Sequence, residues 1–144
     1  CDVPLPGKDL QSAELMTWEQ LRALKAGGHG IGSHTFSHRV LATLSPEQQE
    51  REIKASRAEL AARIGAEVLS FAYPVGGPQH INGHSVRLVR EAGYKQAFTF
   101  NTGVARLPIA DRFQIPRESA HTLDVLSAKT LMPGLMGLRE KRAV

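Results

Sequence analysis

Two stretches of the chain combine residue types and spacings that can do chemistry. In Ser33-His34-Thr35-Phe36-Ser37-His38, two imidazoles stand at i and i+4. If the segment is helical they share a face and can bind one metal ion. Imidazole is a borderline ligand that suits Zn²⁺, Ni²⁺ or Co²⁺. The same spacing also fits two histidines that cap a helix or lie on a surface, and spacing alone does not separate these readings. The second stretch, Phe71-Ala72-Tyr73-Pro74-Val75-Gly76-Gly77, is an apolar run that ends in a Pro/Gly turn. A main-chain N–H at such a turn can serve as an oxyanion donor, worth ~3 kcal/mol to an acyl-transfer transition state. An ordinary strand-terminating turn has the same composition. His29, His80, His84 and His121 read as loop or surface residues.

These residues must be positioned by the elements around them. Thr17 with Gln20 forms a capping box, Met16 with Leu21 a hydrophobic staple, and Trp18, Leu21 and Leu24 share one helical face that Gly27 and Gly28 terminate. Residues 30–33 read as a short buried strand whose glycines permit close packing. His34 then falls just past a strand end, where parallel α/β proteins place their working residues. Ser45 caps a second helix, with Pro46 at its first position and Gln48 completing another capping box. Ile53, Leu60, Ala61 and Ile64 form its apolar stripe, and Gly65 ends it. A strand over 68–73, a helix over 84–92 stopped by Gly93, a strand over 97–100, a shorter strand over 112–115 and a last helix over 122–131 complete the pattern. Strands alternating with helices through short connections predict an α/β fold with a parallel sheet. A closed (β/α)₈ barrel takes about 250 residues, so the chain reads as a small open sheet or as the later part of a barrel.

Composition narrows the function classes. The 144 residues are 42% apolar and 22% charged, which argues against disorder, collagen-like repeats and a coiled coil. No apolar run approaches the ~18–20 residues that span a bilayer. The net charge of +4 comes from 18 basic and 14 acidic residues. Between Glu47 and Arg63 the signs alternate as on a solvated helix face, and the one basic cluster, Arg139, Lys141 and Arg142, has Glu140 within it. That distribution argues against nucleic acid as a partner. The single cysteine, Cys1, excludes an internal disulfide and a cysteine-built metal site. Because Cys1 is also the first residue, the chain reads as processed or as a piece of a longer protein.

The two chemical stretches, in this order, resemble one family. Gly-Ile-Gly-Ser-His-Thr-Phe-Ser-His, followed by Arg-Val-Leu, is similar to the second motif of the polysaccharide deacetylases with a NodB-homology domain, H-[ST]-x-x-[HS]. Phe-Ala-Tyr-Pro-Val-Gly resembles their third motif in the F-A-Y-P-x-G form of one branch. The phrases M-T-W-E-Q-L-R-A-L, L-V-R-E-A-G-Y-K-Q-A-F and D-R-F-Q-I-P-R resemble the same branch, so the likeness runs from about Leu15 to Arg117. The resemblance implies a deformed (β/α)₇ barrel and a divalent metal, zinc with cobalt or nickel as alternatives, held by one Asp and two His. Carried over, His34 and His38 are the metal-binding histidines and the Val75 N–H is the oxyanion donor. Tyr73 and Pro74 shape the groove wall, and His121 is the one candidate in the region of the family's proton-donating histidine, in surroundings that also read as a helix cap. Apart from the resemblance, Arg117, just beyond a short strand, can supply positive charge to the substrate site or lie as a solvated surface arginine. The implied reaction is metal-dependent hydrolysis of N-acetyl or O-acetyl groups on an amino-sugar polysaccharide, and the family favours a cell-envelope or extracytoplasmic setting.

The chain also departs from the pattern. No T-F-D-D motif, the family's source of metal-binding and basic aspartates, precedes the histidines; Asp2 and Asp9 lie in a Pro/Gly-rich lead. Ala72 stands where the third motif often opens with arginine, and Asp111 is a poor match to the fourth motif. The expectation is therefore a partial barrel domain lacking its first strand or strands and inactive on its own. An N-terminal loop occupies 1–14, the partial domain 15–132 and a tail 133–144. The competing expectation is a non-catalytic, deacetylase-like module that binds glycan or serves a structural role.

Overall fold

A computed structural model describes residues 15–101, 103 and 105–117. The expected loop over 1–14, the last helix over 122–131, the tail and His121 lie outside the described residues. The described chain falls into two units, one ending at Gly30 and one starting at Ile31.

The first unit contains helix α1, Trp18–Ala26. Its capping box forms as expected: Thr17 N–H donates to Gln20 Oε1 at 2.8 Å, and Gln20 N–H donates back to Thr17 Oγ1 at 3.3 Å. The expected apolar face is less covered than a core stripe, because no residue of α1 is buried.

In the second unit the order is β1 (Gly32–Ser33), α2 (Pro46–Ile64), β2 (Ser70–Ala72), α3 (Gly83–Glu91) and β3 (Gln96–Phe98). The strands pair in parallel in the order β1-β2-β3, with Ser33 opposite Phe71 and Phe71 opposite Ala97. Each strand is shorter than the sequence suggested. The segment expected as a fourth strand makes one parallel bridge, Phe98 with Ile115, secured by hydrogen bonds from Ile115 N–H to Ala97 O (2.9 Å) and from Thr99 N–H to Ile115 O (2.9 Å). Close strand packing does use a glycine: a Cβ on Gly32 would lie 3.2 Å from Ser70 O.

The core follows from strand alternation. Phe71 and Tyr73 are two apart, point to one side, and meet edge to face at 5.1 Å, with Tyr94 also 5.1 Å from Phe71. Val68, Ile53, Leu41 and Val89 are also almost wholly buried; burial of each is worth roughly 1.5–3 kcal/mol.

Helix α2 begins at the expected Ser45–Gln48 box with Pro46 inside it, and Gly65 ends it in the left-handed conformation. Its inner face differs from the expected stripe. Gln49, Ile53, Ser56 and Ile64 are buried, whereas Leu60 and Ala61 are only half-buried. The two polar residues are tolerated because they are satisfied. Gln49 Nε2–H donates to Leu44 O at 3.1 Å while its Oε1 lies 2.8 Å from Ser85 Oγ on α3, and Ser56 Oγ donates to Ile53 O at 3.0 Å. Among the described residues no helix is long and apolar enough to cross a membrane.

Candidate active site

The C-terminal ends of the three parallel strands bring most of the expected site residues to one edge. His34 follows the last residue of β1, Tyr73 the last of β2, and Thr99 the last of β3, while Arg117 lies two positions past the Ile115 bridge. The floor beneath β1 is fixed by a buried hydrogen bond, Ser33 Oγ–H to Ser56 Oγ at 2.7 Å, which ties the strand to α2.

The two histidines come together, though not through a helical turn. Residues 34–40 form an irregular loop, and Thr35 and His38 take φ of 64° and 59°, in the left-handed region. This loop brings the two rings to a centroid separation of 4.7 Å at an interplanar angle of 71°. Glu52 of α2 receives the Phe36 N–H (2.9 Å), the Ser37 N–H (2.8 Å) and the Ser37 hydroxyl (2.5 Å). A cavity of about 250 Å³ adjoins this loop, lined by Phe36, Ser37, Arg39, Gln48, Arg51 and Glu52.

His34 Nδ1 lies 2.6 Å from Ala72 O. A carbonyl oxygen only accepts, so Nδ1 must carry the proton, and in the neutral ring Nε2 is left with a lone pair. Burial pushes the His34 pKa below the usual histidine value; the Ala72 bond opposes this, while His38 and Arg117 add to the lowering. The neutral ring is the form a metal needs, and an N–H donated to a main-chain carbonyl is the arrangement that orients metal-bound histidines. Thr35, between the two rings in sequence, has a buried Oγ1 with no partner among the described residues. The histidine pair therefore fits part of a divalent-metal donor set. Among the described residues no third His, Cys, Asp or Glu joins it.

The turn after β2 is strained at the residue of interest. Val75 is β-branched yet has φ of 59°, a conformation costing ~1–3 kcal/mol that persists only where neighbours impose it. The neighbours do so: Tyr73 N–H donates to Phe98 O (3.0 Å), Gly76 N–H to Pro74 O (2.5 Å) and Phe100 N–H to Gly76 O (2.8 Å). Val75 itself is half exposed, and its N–H has no acceptor among the described residues.

Tyr73 and Pro74 depart from the expected groove wall. Both side chains are fully buried, and Tyr73 Oη donates to Phe113 O at 3.1 Å. They support the turn from behind, because Tyr73 continues the inward face of Phe71. Arg117 lies at the same strand ends: Nε–H donates to Thr99 O (2.8 Å), Nη2 approaches Tyr73 O (3.5 Å), and its charge adds to the lowering at His34. Asp111 caps its own turn, accepting from Phe113 N–H and Gln114 Nε2 at 2.9 Å each. Sequence reading missed Glu52, which it counted among the alternating charges of a solvated helix face. No local signal marks it, because its partners are in a loop distant in sequence.

Comparison with known proteins gives the same direction. The family model described as polysaccharide deacetylase matches residues 8–97. The Bacillus subtilis protein YxkH, whose name places it among polysaccharide deacetylases, is 28% identical over 99 residues, covering 69% of this chain and 34% of its own. The solved structure of Streptococcus pyogenes deacetylase PplD in complex with acetate is 27% identical, with a TM-score of 0.66 over 74% of this chain and 45% of that one. IcaB from Ammonifex degensii shares the fold, with a TM-score of 0.63 at 24% identity over 77% of this chain and 50% of its own. The chain thus spans about a third of the curated relative and half or less of these two solved chains.

Proposed function

The chain belongs to the polysaccharide deacetylase family, and from that premise we propose that it forms part of an enzyme that hydrolyses acetyl groups on an amino-sugar polysaccharide with a divalent metal, zinc foremost. The observation that carries this reading is the bond between His34 Nδ1 and Ala72 O, which leaves Nε2 free beside the His38 ring. His34 and His38 would hold the cation, which when bound supplies Lewis acidity toward an acyl oxygen. The Val75 N–H, unpartnered and held by a strained turn, is the main-chain donor for the oxyanion. Arg117, fixed by Thr99 O, contributes positive charge to the same edge and helps keep His34 neutral. The aspartates of a T-F-D-D motif are not in this sequence, so the remaining ligand and the base are assigned to no residue of this chain.

The test is acetate release from N-acetylated and O-acetylated glycans by the protein as its gene encodes it, beside His34→Ala and His38→Ala. Metal-dependent release that both substitutions abolish supports the reading. Release unaffected by either substitution contradicts it, and glycan binding without any release points to the non-catalytic module.

A further inference from the structure

The loop that carries the two histidines is organised around a carboxylate. Phe36 and Ser37 turn successive main-chain N–H groups toward Glu52 Oε2, and the Ser37 hydroxyl donates to Oε1. Consecutive N–H groups aimed at one anion make a nest, and here the anion comes from the chain itself. Desolvation works against the charged form, but the bonds from Ser37 and Phe36 outweigh it, with a smaller pull from Arg39, and Glu52 stays below its ordinary range. Bonds to an ionised acceptor are stronger than neutral ones.

Other acids of α2 behave differently. Glu50 pairs with Lys54 and Glu59 with Arg63, each one turn along the helix and exposed. Glu52 instead leaves the helix surface to hold the loop. The loop needs such an anchor, because it holds two side-chain-bearing residues, Thr35 and His38, at positive φ. Each costs ~1–3 kcal/mol and persists only where the surroundings over-determine it. The Ala72 carbonyl secures the loop at His34; between the two rings, Glu52 secures Phe36 and Ser37.

We propose that Glu52 is the positioning residue of the two-histidine loop: by holding Phe36 and Ser37 it sets the edge-to-face approach of His34 and His38 and so presents both rings to one divalent cation. This rests on the metal reading above. Co²⁺ titration of the protein followed by visible absorption, together with amide exchange at Phe36 and Ser37 in metal-free protein, tests it. Glu52→Gln keeps the size but leaves one acceptor oxygen and puts an NH₂ among donors. The expected result is far-UV dichroism unchanged, Co²⁺ affinity weaker by about 10–100-fold, and faster exchange at both amides. Glu52→Asp should recover part of the affinity, and Ser37→Ala, which removes one bond at an exposed residue, should weaken it by a smaller factor. Folded Glu52→Gln with wild-type affinity and protected amides overturns the proposal. Should Glu52→Gln fail to fold, Ser37→Ala decides, and unchanged affinity and exchange there overturn it. Should wild-type protein bind no Co²⁺, the metal reading falls, and the exchange rates still decide whether Glu52 holds the loop.

Discussion

Gly65 and Gly76 have nearly the same backbone conformation, φ of 66° and 67°, in different surroundings. A Cβ on Gly65 meets nothing within 4 Å, whereas on Gly76 it would lie 2.6 Å from Phe100 N and 3.0 Å from Tyr73 O. Alanine in the left-handed region costs ~1–2 kcal/mol, offset by about 0.4–1 kcal/mol from a less free unfolded chain. Gly65→Ala should therefore destabilise by roughly 0–1.6 kcal/mol. Gly76→Ala has the same backbone term and must also push two main-chain atoms aside. Relieving that clash separates Gly76 from Phe100 and weakens the Phe100 N–H to Gly76 O bond. Overpacking of this kind costs ~1–3 kcal/mol and the bond ~0.5–1.5 kcal/mol. The two variants should thus differ by roughly 1.5–4.5 kcal/mol in urea unfolding, with parallel slopes. Equal losses would refute the claim that the end of β3 clamps the Val75 turn.

Further outcomes follow from individual contacts. A double-mutant cycle of Ser33→Ala and Ser56→Ala should give a coupling of about 0.5–1.5 kcal/mol in denaturant unfolding, from the buried hydroxyl pair beneath His34. Asn82 Oδ1 accepts the Ser85 N–H at 2.8 Å as the cap of α3, so Asn82→Ala should cost about 0.5–2 kcal/mol by thermal or urea melts. His34 has a folded pKa below its reference value of 6.5. As pH falls below 6.5 the unfolded chain takes up the proton first, so metal-free stability should fall as pH drops from 6.5 through the folded value. Melting temperatures across that window should fall less steeply in His34→Ala.

Local chemistry made much of the fold legible. The two capping boxes, Thr17–Gln20 and Ser45–Gln48, and the left-handed Gly65 each involve atoms close in sequence, and all three formed. The inner face of α2 departs from the expected stripe because Gln49 and Ser56 are polar; besides the nearby Leu44 and Ile53 carbonyls, they are bonded by Ser85 of α3 and Ser33 of β1, which are distant in sequence. The histidine pair was visible as a motif, but its geometry was not. Positive φ at Thr35 and His38 is imposed by tertiary contacts and leaves no mark on local composition. Burial of Tyr73 was readable in principle, since it alternates with Phe71 on one strand face. The Pro/Gly turn that follows drew attention to the groove instead.

The most direct test of the account is Zn²⁺ binding by calorimetric titration of the protein as its gene encodes it, beside His34→Ala, His38→Ala and the double variant. The account predicts one equivalent of Zn²⁺ per chain, with either single substitution weakening binding by about tenfold or more. Undiminished binding in the double variant would contradict it, because the two-histidine loop would then hold no metal.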